Sequence, residues 1–247
     1  MTPPADSGPV TSTVTDTGPV PGPVPVASAA GGRRGPAGHP VRRIYCVGRN
    51  YVEHIREMKE GDERDAPFFF QKPTDAVVPD GGTVRYPAAT EDFQYEGELV
   101  AAVGVSGENI PVDSALAHVS GFAAGLDLTR RDRQREAASS GRPWEAGKSF
   151  DQSAPLGTVT PVAEVPGSLL ADGELSVWVN GELRQRCRFT QMIWNVPEIV
   201  ANLSTQYRLE PGDLIYTGTP AGVGSLEPGD TVRVHITGLD DLTVSVV

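Results

Sequence analysis

The chain predicts an α+β fold in which strands outnumber helices, and three observations carry that prediction. Apolar runs of strand length recur at residues 43–48, 68–73, 95–103 and 122–126, most of them closed off by Gly, Pro or Asp. Residues 175–184 centre on Asn180-Gly181, the dipeptide that a two-residue hairpin turn favours. The phrase Leu-Glu-Pro-Gly-Asp occurs at 209–213 and again at 226–230. Pro-Gly suits the centre of a type II turn, so each phrase reads as a turn feeding a strand, over 214–217 and 231–237.

The remaining elements follow in order. Residues 1–40 are mostly Pro, Gly, Val, Thr, Ser and Ala, with Gly-Pro-Val at 8–10, 18–20 and 22–24. That composition buries too little apolar surface to offset chain entropy, so a disordered tail is expected there and an ordered catalytic domain over 41–247. The tail lacks the basic start and apolar block of a secretory signal. A short helix is expected over 50–58 with Asn50 as its cap, a turn-linked hairpin around Asp80-Gly81-Gly82, and helices over 111–119, 128–138 and 197–206, the last capped by Asn195 with Pro197 in its first turn.

Composition excludes several classes of function. With 21 basic against 32 acidic residues the net charge is -11, which repels nucleic acid and anionic membranes. The one basic cluster, Arg130-Arg131-Asp132-Arg133, carries its own acid. No run of about 18 apolar residues is present to span a bilayer. Cys46 and Cys187 form neither a disulfide framework nor a metal pattern, which fits buried thiols in a reducing cytoplasm.

The chemistry gathers around Tyr95-Glu96-Gly97-Glu98-Leu99-Val100-Ala101-Ala102-Val103. Alternation along a strand puts Glu96 and Glu98 on one face with Val100 and Ala102. Two carboxylates that close raise one another's pKa unless a cation sits between them. An oxygen-rich, sulfur-free set suits Mg2+, Mn2+ or Ca2+ rather than zinc. The alternative is a half-exposed strand start with two solvated glutamates.

Other groups have the same double reading. His54 and Glu57 are three apart and share a helix face, as a catalytic pair or as a surface pair. The run at 122–126 ends on Asp127, which would place an acid at a sheet end, and Arg131 and Gln134 share a face of the helix that follows. Lys148 lies among Trp144, Phe150 and small residues, where a lysine can reach an anion or snorkel to solvent. Thr217-Gly218-Thr219-Pro220-Ala221-Gly222-Val223-Gly224 follows a strand but leads into no helix, so it fits neither a dinucleotide fingerprint nor a phosphate loop. Its amides could form a nest for a carboxylate, or the segment is simply a turn.

Taken together, six stretches in order resemble the fumarylacetoacetate hydrolase family. They are Gly48-Arg49-Asn50-Tyr51 with His54 and Glu57, Lys72-Pro73, Tyr95-Glu96-Gly97-Glu98-Leu99, Leu126-Asp127 through Gln134, Gly147-Lys148-Ser149-Phe150-Asp151, and the glycine-rich loop at 217–224. The resemblance covers the chain from about residue 44 to its end. It implies curled, twisted mixed β-sheets with peripheral helices, a homodimer, and a metal-dependent enzyme that cleaves a carbon-carbon bond in a 2,4-dioxo acid. Carried over residue by residue, Glu96, Glu98 and Asp127 match metal ligands, with Mg2+ expected and Mn2+ or Ca2+ as substitutes. Lys148 matches an active-site lysine, and His54 and Glu57 match a catalytic dyad on a lid helix. Arg49, Lys72, Arg131, Gln134 and Thr219 match residues around the substrate. Gly97 departs from the family pattern, in which bulkier residues are common between the two glutamates, and is expected to loosen the strand.

Within the family, residues 67–76 and Leu128-Thr129-Arg130-Arg131-Asp132 are most similar to members that hydrolyse 3-fumarylpyruvate to fumarate and pyruvate in aromatic breakdown. The same residues would also serve an oxaloacetate decarboxylase or a broader acylpyruvate hydrolase. A non-catalytic metal- and carboxylate-binding protein would show a lost ligand or a lost dyad, and neither is lost.

Overall fold

The two most apolar runs of the sequence pair with each other at the heart of the largest sheet. A computed structural model describes residues 40–53 and 65–247. In it the strand Gly97–Val103, buried along its whole length, runs antiparallel to Val119–Leu126. Around this pair the large sheet takes the order Phe68–Lys72, Arg43–Gly48, Asp213–Tyr216, Gly97–Val103, Val119–Leu126, Ala154–Leu156 and Val77–Pro79. Thr160–Pro161 adds a further strand beside Val119–Leu126. The sheet is mixed: Arg43–Gly48 runs parallel to Asp213–Tyr216, and Val77–Pro79 runs parallel to Ala154–Leu156.

Alternation along Gly97–Val103 feeds two apolar clusters. Leu99, Ala101 and Val103 join Leu175, Val177, Val232 and Val234 of a second, five-stranded sheet, while Val100 and Ala102 join Ile44, Cys46, Leu156, Leu214 and Tyr216. Burial on both faces explains why this strand reads as a nearly continuous apolar run. The second sheet has the order Glu182–Arg188, Glu174–Val179, Thr231–Ile236, Leu242–Val246 and Thr83–Val84. Asn180 and Gly181 both take positive φ, 52° and 83°, as the hairpin turn between its first two strands requires. A third sheet of Gly224–Ser225, Phe93–Tyr95 and Thr129–Arg130 closes over the end of the Gly97–Val103 pair.

The helix expected at 197–206 is Val196–Gln206, and its predicted cap is present: Asn195 Oδ1 accepts from Glu198 N at 3.0 Å while Glu198 Oε2 accepts from Asn195 N at 2.9 Å. The helix expected at 128–138 begins later, at Arg131–Ser139, because Thr129–Arg130 is held as a strand by Phe93–Tyr95. The segment at 111–119 is a 3-10 turn, Val112–His118, and Val119 already belongs to the next strand.

Three expectations are corrected. Asp80-Gly81-Gly82 does not close a hairpin. The turn passes the chain from Val77–Pro79 in the large sheet to Thr83–Val84 in the five-stranded sheet, so the flanking strands pair with different partners. Phe68–Lys72, whose apolar run before Pro73 reads as a buried strand, is an edge strand with Phe68 36 % exposed. Asn50 spends its amide across the molecule instead of at a helix start: Nδ2 donates to Thr217 O at 2.8 Å and Trp194 O at 2.9 Å, and Oδ1 accepts from Trp194 N at 2.8 Å. Tyr51 bridges to Met192, and Val52 and Glu53 are helical; residues 54–58 of the expected helix lie outside the described residues, as do positions 1–39 of the expected tail. Among the described residues no helix is long and apolar enough to cross a membrane.

Candidate active site

Three acids separated by up to 31 residues in sequence meet because of one register. Gly97 pairs with Leu126 across the central strands, so Glu96 and Asp127 stand opposite each other just beyond that pair, and Asp127 N donates to Glu96 O at 2.9 Å. Glu98 follows on the same strand. One carboxylate oxygen from each of Glu96, Glu98 and Asp127 lies within 4.8 Å of the others, and all three residues are buried. Burial removes the solvated-glutamate alternative. The single strand expected through Tyr95 in fact breaks at Glu96, where the chain leaves the three-stranded sheet and enters the large one.

Cations reach two of the three acids. Lys148 Nζ donates to Glu96 Oε2, Asp127 Oδ2 and Thr129 Oγ1, each at 2.7 Å. It is 2 % exposed, which rules out a snorkelling surface lysine. Burial pulls its pKa down, but Asp127 and Glu96 outweigh that and raise it, so Lys148 is charged. Arg131 pairs with Glu96 through Nη2, while its Nε donates to Gln94 Oε1 at 2.8 Å and its Nη1 to Gln134 Oε1 at 3.1 Å. The sharing of one helix face by Arg131 and Gln134 is therefore realised as a hydrogen bond. Lys72 Nζ lies 2.8 Å from Asp127 Oδ1 and donates to the carbonyls of Leu128 and Lys148.

Glu98 differs. Among the described residues no lysine or arginine pairs with it; its Oε2 accepts from Gly218 N at 2.7 Å. Its pKa is pushed well up, first by burial and then by the charges of Asp127 and Glu96. Asp127 Oδ1 is buried and faces only the Lys72 ammonium, at 2.8 Å. A buried carboxylate with no basic partner among the described residues, its oxygen within 4.8 Å of oxygens from two further buried acids, fits a divalent cation that takes oxygen ligands.

Two glycines let the surrounding elements come close enough. A Cβ on Gly147 would meet Gln134 N at 2.6 Å, so only glycine lets the short helix Glu145–Lys148 abut Arg131–Ser139 and deliver Lys148 beside Arg131. A Cβ on Gly97 would overlap a Val177 methyl of the five-stranded sheet. Gly97 therefore admits a neighbouring sheet against the ligand strand, which corrects the expectation that it loosens that strand.

The glycine-rich loop at 217–224 lies over the same strand. Thr219 is buried and its Oγ1 donates to Gly97 O at 2.9 Å. Arg49 lies farther out, in the left-handed region at φ 59°, with its guanidinium over the rings of Phe68 and Trp144 at 5.6 and 5.9 Å. His54 and Glu57 lie outside the described residues. Sequence reasoning missed Gln94 and Gln185, which fix Arg131 and the loop respectively. Glutamines in strand segments look like solvent-facing positions, so no local pattern marks them.

This constellation has counterparts. A fumarylpyruvate hydrolase from Ralstonia is 41% identical over 179 residues, covering 72% of this chain and 92% of that protein. A mitochondrial oxaloacetate tautomerase, FAHD1, from Mus musculus is 40% identical over 200 residues, covering 80% and 88%. The crystal structure of fumarylpyruvate hydrolase from Pseudomonas aeruginosa in complex with Mn2+ and pyruvate superposes with a TM-score of 0.84 at 46% identity, covering 94% of this chain and 99% of that one. The family profile described as Fumarylacetoacetate (FAA) hydrolase C-terminal matches residues 43–247, which takes in every acid and base of the cluster. By that match, and by the strand register that assembles the three carboxylates, the chain belongs to the fumarylacetoacetate hydrolase family.

Proposed function

We propose that this chain is a metal-dependent hydrolase that cleaves the carbon-carbon bond of 3-fumarylpyruvate, giving fumarate and pyruvate. The observation that carries the reading is the buried triad of Glu96, Glu98 and Asp127 with Lys148 inserted among it, in a chain 46% identical to a fumarylpyruvate hydrolase solved with Mn2+ and pyruvate. Glu96, Glu98 and Asp127 would hold the ion, Mg2+ in the first instance with Mn2+ or Ca2+ as substitutes. When bound, it supplies Lewis acidity to the carboxylate and 2-oxo group of the substrate.

The chain's own residues do the rest. Water adds to C4, the C3–C4 bond breaks, and pyruvate leaves with charge on its 2-oxo oxygen until C3 is protonated. Lys148, charged and held by three acceptors, donates to that developing charge in a water-poor setting where such donors count most. Arg131, fixed by Gln94 and Gln134, and the loop at Thr219 bind the carboxylate end. Lys72 holds Asp127 in place through their ion pair, and Arg49 flanks the approach. His54 takes the proton of the attacking water and Glu57 orients its ring; this pair is assigned from the family motif and its spacing of three. Soluble, cytoplasmic residence as a homodimer, in the breakdown of aromatic compounds, completes the reading.

Product analysis tests it. Purified protein with Mg2+ is predicted to convert 3-fumarylpyruvate into equal amounts of fumarate and pyruvate, with chelator and His54→Ala each abolishing turnover. The similarity to an oxaloacetate tautomerase makes oxaloacetate the comparison substrate. Consumption of oxaloacetate alone, unaffected by His54→Ala, would overturn the hydrolase reading.

A further inference from the structure

The strand Glu182–Arg188 is an edge strand of the five-stranded sheet, and its ordinary pattern is inverted at one point. Leu183 is exposed while Gln185 is 1 % exposed. A register shift produces the inversion: Trp178 pairs with Leu183 and Val177 with Gln185, so Arg184 is the extra residue of a bulge. Bulges of this kind re-aim the side chain beside them. Here the side chain turned inward is a primary amide, which is costly to bury unless every polar atom finds a partner.

Both ends of that amide are used, and each end contacts a different part of the active site. Gln185 Oε1 accepts from the N–H of Gly97, the residue between Glu96 and Glu98, at 2.9 Å. Gln185 Nε2 donates to Thr219 Oγ1 and to Pro220 O, both at 2.8 Å. The orientation of the amide is unambiguous, because Gly97 N can only donate and Pro220 O can only accept. Thr219 Oγ1 in turn gives its proton to Gly97 O. The ring of bonds commits the Thr219 hydroxyl to the protein, and the amides just before it are likewise held to the ligand strand, Thr217 N by Leu99 O and Gly218 N by Glu98 Oε2.

We propose that Gln185 is a positioning residue for substrate: it sets the separation between the carboxylate-binding loop at 217–220 and the strand that carries the metal ligands. The inference rests on the proposed function, which places the substrate carboxylate at Thr219. The tie is made by uncharged groups, so its own bonds do not titrate. Leucine-like packing at this position would fill the volume yet leave Gly97 N–H, Thr219 Oγ1 and Pro220 O without their shared partner.

Two variants test the role. Gln185→Met keeps the length and removes all three bonds; Gln185→Glu keeps the acceptor for Gly97 N–H and removes both donations to the loop. In each folded variant, Mn2+ affinity without substrate is predicted to stay within about threefold of wild type. Pyruvate affinity of the Mn2+-loaded protein should fall at least about tenfold, the scale of one lost buried hydrogen bond, with KM rising more than kcat falls. Backbone amides at 217–222 should exchange hydrogen faster. Unchanged pyruvate affinity and unchanged loop exchange would overturn the proposal. So would a loss of Mn2+ affinity that matches the loss of pyruvate affinity, since Gln185 would then merely brace the ligand strand. A wild-type protein that binds neither Mn2+ nor pyruvate would instead defeat the proposed function, while loop exchange in the variants would still decide whether the tie exists.

Discussion

Lys148 concentrates the electrostatics of the site in one side chain. It donates to two of the three acids and to Thr129, so it offsets their charge and, in the proposed reaction, would stand where charge develops on substrate. Lys148→Met is predicted to lower kcat/KM by about 10²–10³-fold, the usual effect of removing one preorganised donor. Mn2+ affinity in the same variant should hold or tighten, because a competing positive charge has gone. Steady-state kinetics and a metal titration check the two halves, and undiminished activity would count against the assignment. Much at this scale was legible in the sequence. The spacing of Glu96 and Glu98 announced a pair of acids, and the family motif supplied Asp127 and Lys148. Residue types could not reveal that, among the described residues, Glu98 is the one of the three acids with no basic partner, because that depends on which way three distant side chains turn.

Elements bring these residues together through a few close approaches. The Gly97 to Leu126 pairing aligns Glu96 with Asp127, and the contact of Gly147 with Gln134 seats the lysine-bearing helix on the arginine-bearing one. Gly147→Ala is predicted to push those helices apart, destabilising the protein by about 1–3 kcal/mol as overpacking does, and to reduce kcat more than a surface glycine change such as Gly167→Ala, whose Cβ would meet nothing within 4 Å. Urea denaturation and kinetics on both variants distinguish a local clash from a general cost of losing glycine. Elements with strong local signals were readable in advance: the Asn180-Gly181 hairpin and the helix capped by Asn195 are both in place. Elements whose ends depend on a partner were not. The turn at Asp80-Gly81-Gly82 has hairpin chemistry, but its flanking strands find better partners in two separate sheets. Thr129–Arg130 is drawn from the expected helix by a strand more than thirty residues earlier.

Over the whole molecule, the two thiols are buried in separate apolar clusters, Cys187 in the interior shared by two sheets and Cys46 on the other face of the large sheet. Burial raises the pKa of Cys46 well above its usual range and that of Cys187 to about 11. A thiol raised in this way stabilises the folded state fully below its unfolded pKa of about 8.5 and loses that contribution as pH rises through about 11. At pH 8 Cys187 is therefore predicted to react with a thiol reagent roughly two orders of magnitude more slowly in the native than in the unfolded protein, with Cys46 slowed as well, which a stopped-flow labelling experiment would measure. The same burial isolates the three carboxylates, and their joint action as one metal centre is the central claim. A titration of the metal-free protein with Mn2+, followed by the loss of the free-ion resonance signal, tests it most directly. One ion should bind per chain, with affinity falling at least about a hundredfold in Glu98→Gln. Absence of a stoichiometric site, or a site indifferent to Glu98→Gln, would contradict the account.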